Sequence, residues 1–390
     1  MTQHSYIDDT IKQLAALVGF ASVSRDSNLA LIEYIEDILR KQDVAFTRLP
    51  SPCGRKANLL ARIGPEVEGG IILSGHTDVV PIDGQEWGSP PFTLTQRGDK
   101  LYGRGTSDMK SFIALCLAFI PRFKALQLKR PIYFAFSYDE EVGCLGAPHL
   151  LEHITRQVPK PACVIIGEPT EMQVVTAHKG VLSYETIVSG YEWHSSQPHY
   201  GVNAIQVAAD LIHFLMQLSS ECQQKGLQDT RFDPPYSTVH VGVIQGGTAR
   251  NIIPKECRFN WEIRPLPGDD ADALFARFER YCSEQRSLIK QRHKEADIIT
   301  RPVSRMLGVT LPPGSDRYKQ LVMQCAQTNQ EQAVAFGTEA GVFNAHHIPA
   351  IICGPGNIKQ AHQPNEFIEL SQLASGIDFM ERLCEAMGQS

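Results

Sequence analysis

Up to about residue 180 the chain alternates between two hydrophobic spacings. Residues 8–19 and 28–42 repeat apolar side chains every three or four positions, the period of a helix with one buried face, and Asp8 and Asp9 open the first of them. The runs NLLARIG and GGIILSGHTDVV are apolar stretches closed by turn residues, which predicts strands. SDMKSFIALCLAFIPRF then predicts a helix, and PIYFAFSYDEE and PACVIIGEPT predict two more strands. Strands separated by helices need crossover connections, so the pattern predicts a largely parallel sheet covered on both faces. In such sheets the ligand site lies beyond the carboxyl ends of the strands.

From Val181 the order changes. A strand (VLSYETIVSG), a helix (NAIQVAADLIHFLMQLSSEC), two strands (STVHVGVIQGG, CRFNWEIRPL), a helix (ADALFARFERYCSEQ) and a strand (ADIITRPV) follow in turn. That β-α-β-β-α-β sequence is the split βαβ pattern of a ferredoxin-like α+β unit. The chain therefore reads as an α/β protein of two domains: residues 1–179 and 299–390 form one, and 180–298 are inserted into it. After LGVTLPPGSD the alternation resumes with AVAFGTEA, IPAIICGPGN and a closing helix, LSQLASGIDFMERLCEAM.

Composition narrows the function classes. A chain of 390 residues exceeds one ordinary core, and 43% hydrophobic with 21% charged residues describes a globular protein. The net charge of −6 and pI near 6.1 supply no cationic field for nucleic acid. No apolar run reaches the roughly 18–20 residues that span a bilayer, and MTQHSYIDDTIKQL lacks the basic start and apolar core of a signal peptide. A cytosolic protein is expected. Ten cysteines without a C-x-x-C pair form neither a disulfide scaffold nor a zinc knuckle; most, such as Cys116 and Cys163, fall in apolar runs as core residues.

The polar residues at the strand ends carry the chemistry. SGHTDVV ends an apolar strand with His76 and Asp78, two apart and so on one face, a spacing that suits a histidine metal ligand oriented by a carboxylate. GRGTSDMK places Asp108 in a Gly-rich turn before a helix, where an N-cap is the competing reading. DEE supplies Glu140 and Glu141, IGEPT supplies Glu168, and QAHQPNE supplies His362; a lone strand-end glutamate also reads as a solvated loop residue. Together they put two histidines and several carboxylates along one sheet edge. Such ligands favour zinc or a similar divalent ion, and a carboxylate able to bridge favours two ions about 3.5–4 Å apart.

SGHTDVVP, LYGRGTSDMK, DEE, IGEPT, HKG, HSSQPHYGVNAI, GGTARNIIP, EIRPLPG, GTEAG and GPGNIKQAHQPNEF occur in the order found in the dinuclear zinc deacylases. The chain resembles that family, which includes acetylornithine deacetylases, succinyl-diaminopimelate desuccinylases, aminoacylases and carboxypeptidases, from about residue 10 to 385. GTEAG, EIRPLPG and AHQPNEF are most similar to the acetylornithine deacetylases. The resemblance implies removal of the acetyl group from N2-acetyl-L-ornithine, a step of arginine biosynthesis. The alternative is the same chemistry on succinyl-diaminopimelate, another N-acyl amino acid or a dipeptide. It implies two divalent ions, Zn2+ first and Co2+ possible, with His76 and Glu168 on one, Glu141 and His362 on the other, and Asp108 bridging. Asp108, Glu141 and Glu168 then offset most of the charge of two divalent ions, and a hydroxide brings the centre near neutrality.

The resemblance further implies that Asp78 fixes the tautomer of His76 and that Glu140 is the general base. It implies that the inserted domain serves as a lid and dimerisation domain, with His194 of the HSS motif donating to the oxyanion across a homodimer. Asn251, Arg264 and the backbone of Gly354 would hold the substrate, Arg264 through its carboxylate. Outside the resemblance, His194 reads as a surface or packing residue and Arg264 as half of a surface ion pair. Lys110, Lys179 and Glu339 read equally well as structural supports, and Asp139 as a turn residue or as a group that supports the metal ligands from behind. Two departures stand out: Trp193 precedes HSS where a small residue is common, and Ser111 stands where glycine is usual.

Overall fold

Alternation along the central strands decides which side chains meet which layer. The computed structural model describes residues 3–389. It divides into two units, one comprising the chain up to Ala177, Thr310–Gln332 and the segment from Thr338 onward, the other His178–Val309 with Ala333–Gly337.

The first unit is built on a nine-stranded sheet that begins Ala45–Pro50, Ala57–Ile63, Ile132–Ser137, Ile71–His76, Cys163–Ile166, Ala350–Ile352, Val174–His178. The four strands from Ile132–Ser137 to Ala350–Ile352 pair in parallel, and those flanking them are antiparallel. Ile132, Phe134 and Phe136 join Ile71 and Leu73 in one core, against the wholly buried helix Lys110–Ala118 and helix Gln3–Val18. Burying side chains of this size stabilises the fold by roughly 1.5–3 kcal/mol each. Tyr133 and Ala135 face the other way, where helix Ala147–Gln157 brings buried Leu150, Leu151 and Ile154. The helix expected over SDMKSFIALCLAFIPRF is broken at Phe119, and a second helix, Ile120–Ala125, starts there because Pro121 has no N–H to continue the ladder.

A small antiparallel sheet joins Thr95–Arg97, Lys100–Tyr102 and Phe367–Glu369. Its strands are three residues long, too short for a period-two pattern to show in the sequence.

The second unit has four antiparallel strands in the order Thr238–Gly246, Glu256–Arg264, Val181–Ser189, Asp297–Met306. With helices Ala204–Lys225 and Ala271–Arg292 this is the split βαβ arrangement. Tyr184 stacks on Trp261 at 4.6 Å and on Phe275 at 4.4 Å, and Trp261 Nε1 donates to Thr186 Oγ1 at 3.0 Å. Asn203 and Asp270 cap the two helices by accepting from backbone N–H groups of their first turns. The last strand runs to Met306, beyond the expected boundary at 298, since the bulge between Pro302 and Ser304 and the exposed side chains there break the alternation. Ala333–Gly337 returns to this unit, where Val334 O accepts from Lys179 N at 3.2 Å. Among the described residues no helix is long and apolar enough to cross a membrane.

Candidate metal centre

Strand Ile71–His76 ends on His76, which is buried with Asp78 just beyond it. His76 Nδ1 lies 2.9 Å from the backbone carbonyl of Asp78 and 3.7 Å from its carboxylate. The carbonyl can only accept, so Nδ1 carries a hydrogen, and Nε2, which faces Asp108, presents a lone pair to an ion once its own proton is given up. The expected tautomer control therefore comes from the main chain of Asp78. Its carboxylate accepts instead from Ser24 Oγ at 2.7 Å, Glu140 N at 3.1 Å and Glu141 N at 3.3 Å, holding the turn that bears both glutamates.

Asp108 does not cap the following helix, whose N-cap is Met109. Its Oδ1 is 3.0 Å from His76 Nε2, and its Oδ2 is 3.3 Å from His362 Nε2, which is 2.9 Å from Glu141 Oε2. One carboxylate thus faces two imidazoles. Two groups can hold a metal ion, His76 with Asp108 and Glu168, and Asp108 with Glu141 and His362, the donor atoms of each lying within 4.8 Å of one another.

The electrostatics show what these donors lack. Burial, then the charge of Asp108, raises the Glu168 carboxyl well above its ordinary range, and Oε1 of Glu168 has no hydrogen-bond partner. Burial and Asp108 likewise push Glu141 up to about 7, while burial and the charge of Glu168 raise Glu140. Against its own burial, hydrogen bonds from His362 and His76 hold Asp108 far down. The same bonds to Asp108 and Glu141 push His362 up to about 10. Buried carboxylates that repel one another beside an unpartnered oxygen fit a divalent cation, and the nitrogen and oxygen donors suit zinc-type ions.

Gly167 precedes Glu168 because any Cβ would fall 1.9 Å from the ring of Phe112. Asp139, in the left-handed region at φ 57°, pairs with Lys56 Nζ at 2.5 Å, and Lys56 also donates to Ser24 O; Asp139 is a paired turn residue. Lys110 Nζ donates to Leu17 O at 3.0 Å and Phe20 O at 2.8 Å, and Lys179 Nζ to Pro234 O at 2.8 Å and Tyr236 O at 2.6 Å. Both are structural ties. Glu339 is buried and accepts from Ser74 Oγ at 3.3 Å. Buried Ser111 Oγ has no partner. Gly354 N donates to Thr170 Oγ1 at 3.2 Å and its carbonyl accepts from Met172 N at 2.9 Å, so its backbone is engaged within the fold.

In the second unit, His194 and Asn251 are exposed neighbours: Ser195 N donates to Asn251 O at 3.1 Å, and His194 pairs with Ile252. Ser196 N donates to His194 Nδ1 at 3.2 Å, which makes Nδ1 an acceptor and leaves Nε2–H as a donor in the neutral ring. Trp193 belongs to an aromatic group with Tyr191 and Tyr200, and its Nε1 donates to Gln197. Arg264 Nε pairs with Glu262 Oε1 at 2.7 Å, the surface ion pair of the competing reading.

Arg104 and Glu366 were not among the candidates visible in the sequence. Both are buried and paired at 2.8 Å, and Glu366 accepts from the N–H groups of Gly105, Ser107 and Asp108 at 2.9, 2.8 and 3.1 Å. The available signal was an arginine and a glutamate within the two motifs that carry Asp108 and His362.

Residues 72–386 match the peptidase family M20/M25/M40. The chain belongs to that family. It is 37% identical over 361 residues to an acetylornithine deacetylase of Klebsiella pneumoniae, covering 91% of each chain. It is 35% identical over 343 residues to an acetylornithine deacetylase of Buchnera aphidicola, covering 88% of this chain and 87% of that one. Among solved structures, the M20 family metallo-carboxypeptidase Sso-CP2 from Sulfolobus solfataricus shares the fold, with a TM-score of 0.77 at 18% identity over 98% of this chain and 100% of that one. Members of this family are metal-dependent hydrolases of amide bonds.

Proposed function

We propose that this M20 chain hydrolyses N2-acetyl-L-ornithine to L-ornithine and acetate, as an acetylornithine deacetylase of arginine biosynthesis. The observation that carries the chemistry is the pair of donor groups sharing Asp108; the substrate follows the relatives in Klebsiella and Buchnera. His76 and Glu168 complete one group, and Glu141 and His362 the other. These residues would hold two divalent ions, Zn2+ first and Co2+ second, which when bound would polarise the amide carbonyl and acidify water. Glu140, placed by Asp78, takes the proton of the attacking water and returns it to the amine as the C–N bond breaks. In a homodimer the partner subunit's His194 would donate its Nε2–H to the developing oxyanion. Asn251 and Arg264 would orient the amino-acid end of the substrate.

A homodimer through the second unit is supported by its edge strand Thr238–Gly246, which leaves Val243 and Ile244 exposed. Ten cysteines, all free, suit the reducing cytoplasm. Turnover across a panel of N-acyl amino acids tests the substrate. The highest kcat/KM is expected for acetylornithine, and faster cleavage of succinyl-diaminopimelate or of a dipeptide would replace it.

A further inference from the structure

Half of the His362 side chain is exposed, and the residue sits at φ 63° on a loop where Asn365 also has φ 58°, yet its Nε2 is held 3.3 Å from Asp108 and 2.9 Å from Glu141. Something other than packing must fix it. The Glu366 carboxylate binds three N–H groups of the loop leading into Asp108, and Gly103 N donates to Glu366 O at 2.9 Å. Arg104, on that same loop, reaches across to the His362 loop: Nη1 donates to Gln363 O at 3.3 Å and Nη2 to Gln85 Oε1 at 2.6 Å. Gln85 Nε2 in turn donates to the carbonyl of His362 itself at 2.9 Å. The guanidinium lies over Trp87 at 5.1 Å, and the small sheet pairs Tyr102 with Phe367, setting the two loops side by side.

We propose that Arg104 and Gln85, with Glu366 anchoring Arg104, are positioning residues that set the metal affinity of the Asp108–Glu141–His362 group separately from that of the His76–Asp108–Glu168 group. The assignment rests on the dinuclear reading above. Its asymmetry comes from the direction of the contacts: Arg104 and Gln85 act on the His362 side, and neither touches His76 or Glu168. Groups that orient metal ligands typically change affinity by about 10–100-fold when removed.

The test is calorimetry of Zn2+ binding to the metal-stripped full chain, with bound zinc counted and thermal unfolding recorded, for wild type, Gln85→Ala and Arg104→Lys. Both variants are expected to keep one zinc at wild-type affinity and to bind the other about 10–100-fold more weakly, with the unfolding midpoint of Gln85→Ala unchanged. Wild-type affinity for both ions in Gln85→Ala, or equal weakening of both, would overturn the assignment; that variant decides alone if Arg104→Lys does not fold. A wild-type chain that binds two zinc ions and hydrolyses no N-acyl amino acid would sink the functional reading, while selective loss in the variants would still support the positioning role. Fewer than two zinc ions bound by wild type would sink both.

Discussion

The sheet edge of the first unit and the His194 surface of the second are both rich in candidate residues, but only the first makes a demand that protein atoms leave unmet. Glu140, Glu168, Asp108 and His76 are buried and crowded, and Glu168 keeps an oxygen without a partner. His194 and Asn251 are exposed, and Arg264 is matched by Glu262. A third place shows what a cation supplied by the protein does to a shielded carboxylate. Glu36 is also shielded from solvent, though less deeply packed, and it accepts hydrogen bonds from Arg48 at 2.5 and 2.7 Å and from Arg40 at 2.7 Å; the Arg48 bond holds its carboxyl below the ordinary 4.5. Glu36, bonded to two arginines, is held low, whereas burial first and the neighbouring carboxylates second push Glu140, Glu141 and Glu168 up, a strain that a divalent cation among them would relieve.

The comparison breaks first at Glu140. Replacing it with alanine leaves the metal ligands intact, so bound zinc should stay at the wild-type count while kcat falls by about 10²–10⁴-fold. Unchanged turnover would remove Glu140 from the mechanism. His194→Ala tests the exposed side: kcat should fall by about 10²–10³-fold with the metal content untouched, as for loss of an oxyanion donor. If His194 is only a surface residue, its loss changes neither quantity.

How far the sequence could carry this comparison follows from the same physics. His76, Asp108, Glu141, Glu168 and His362 stood out as candidates because they interrupt apolar strands or turns, their division between two ions followed from the family resemblance, and what the fold adds is that their donor atoms converge; the second unit was legible from its order of strands and helices. The reach of Arg104 to Gln363 and Gln85 was not, because it depends on three-residue strands that leave no periodic trace. Nor could spacing show that His76 is fixed by a carbonyl of Asp78, since both the carbonyl and the carboxylate lie within reach of the ring. The five residues Ala333–Gly337 returned to the second unit without any compositional signal.

The smallest expected effect belongs to the control. A carboxylate whose folded pKa is depressed contributes stability above its unfolded pKa and loses it as pH falls through the folded value. Glu36→Gln should therefore cost about 1 kcal/mol at neutral pH, reduced by the exposure of Arg40 and Arg48 to solvent, and the cost should vanish once acid protonates Glu36 in the wild type. Chemical denaturation of both proteins from pH 7 downward measures it, and a difference that persists in acid would contradict the pairing.

Asp108 is where the account is most exposed, because both donor groups pass through one carboxylate. Zinc content and acetylornithine turnover of Asp108→Ala, measured beside wild type, decide it. Wild type is expected to bind two zinc ions and turn over substrate, and the variant to lose tight binding at both sites together with turnover. Two zinc ions retained by Asp108→Ala, or turnover that survives the substitution, would contradict it.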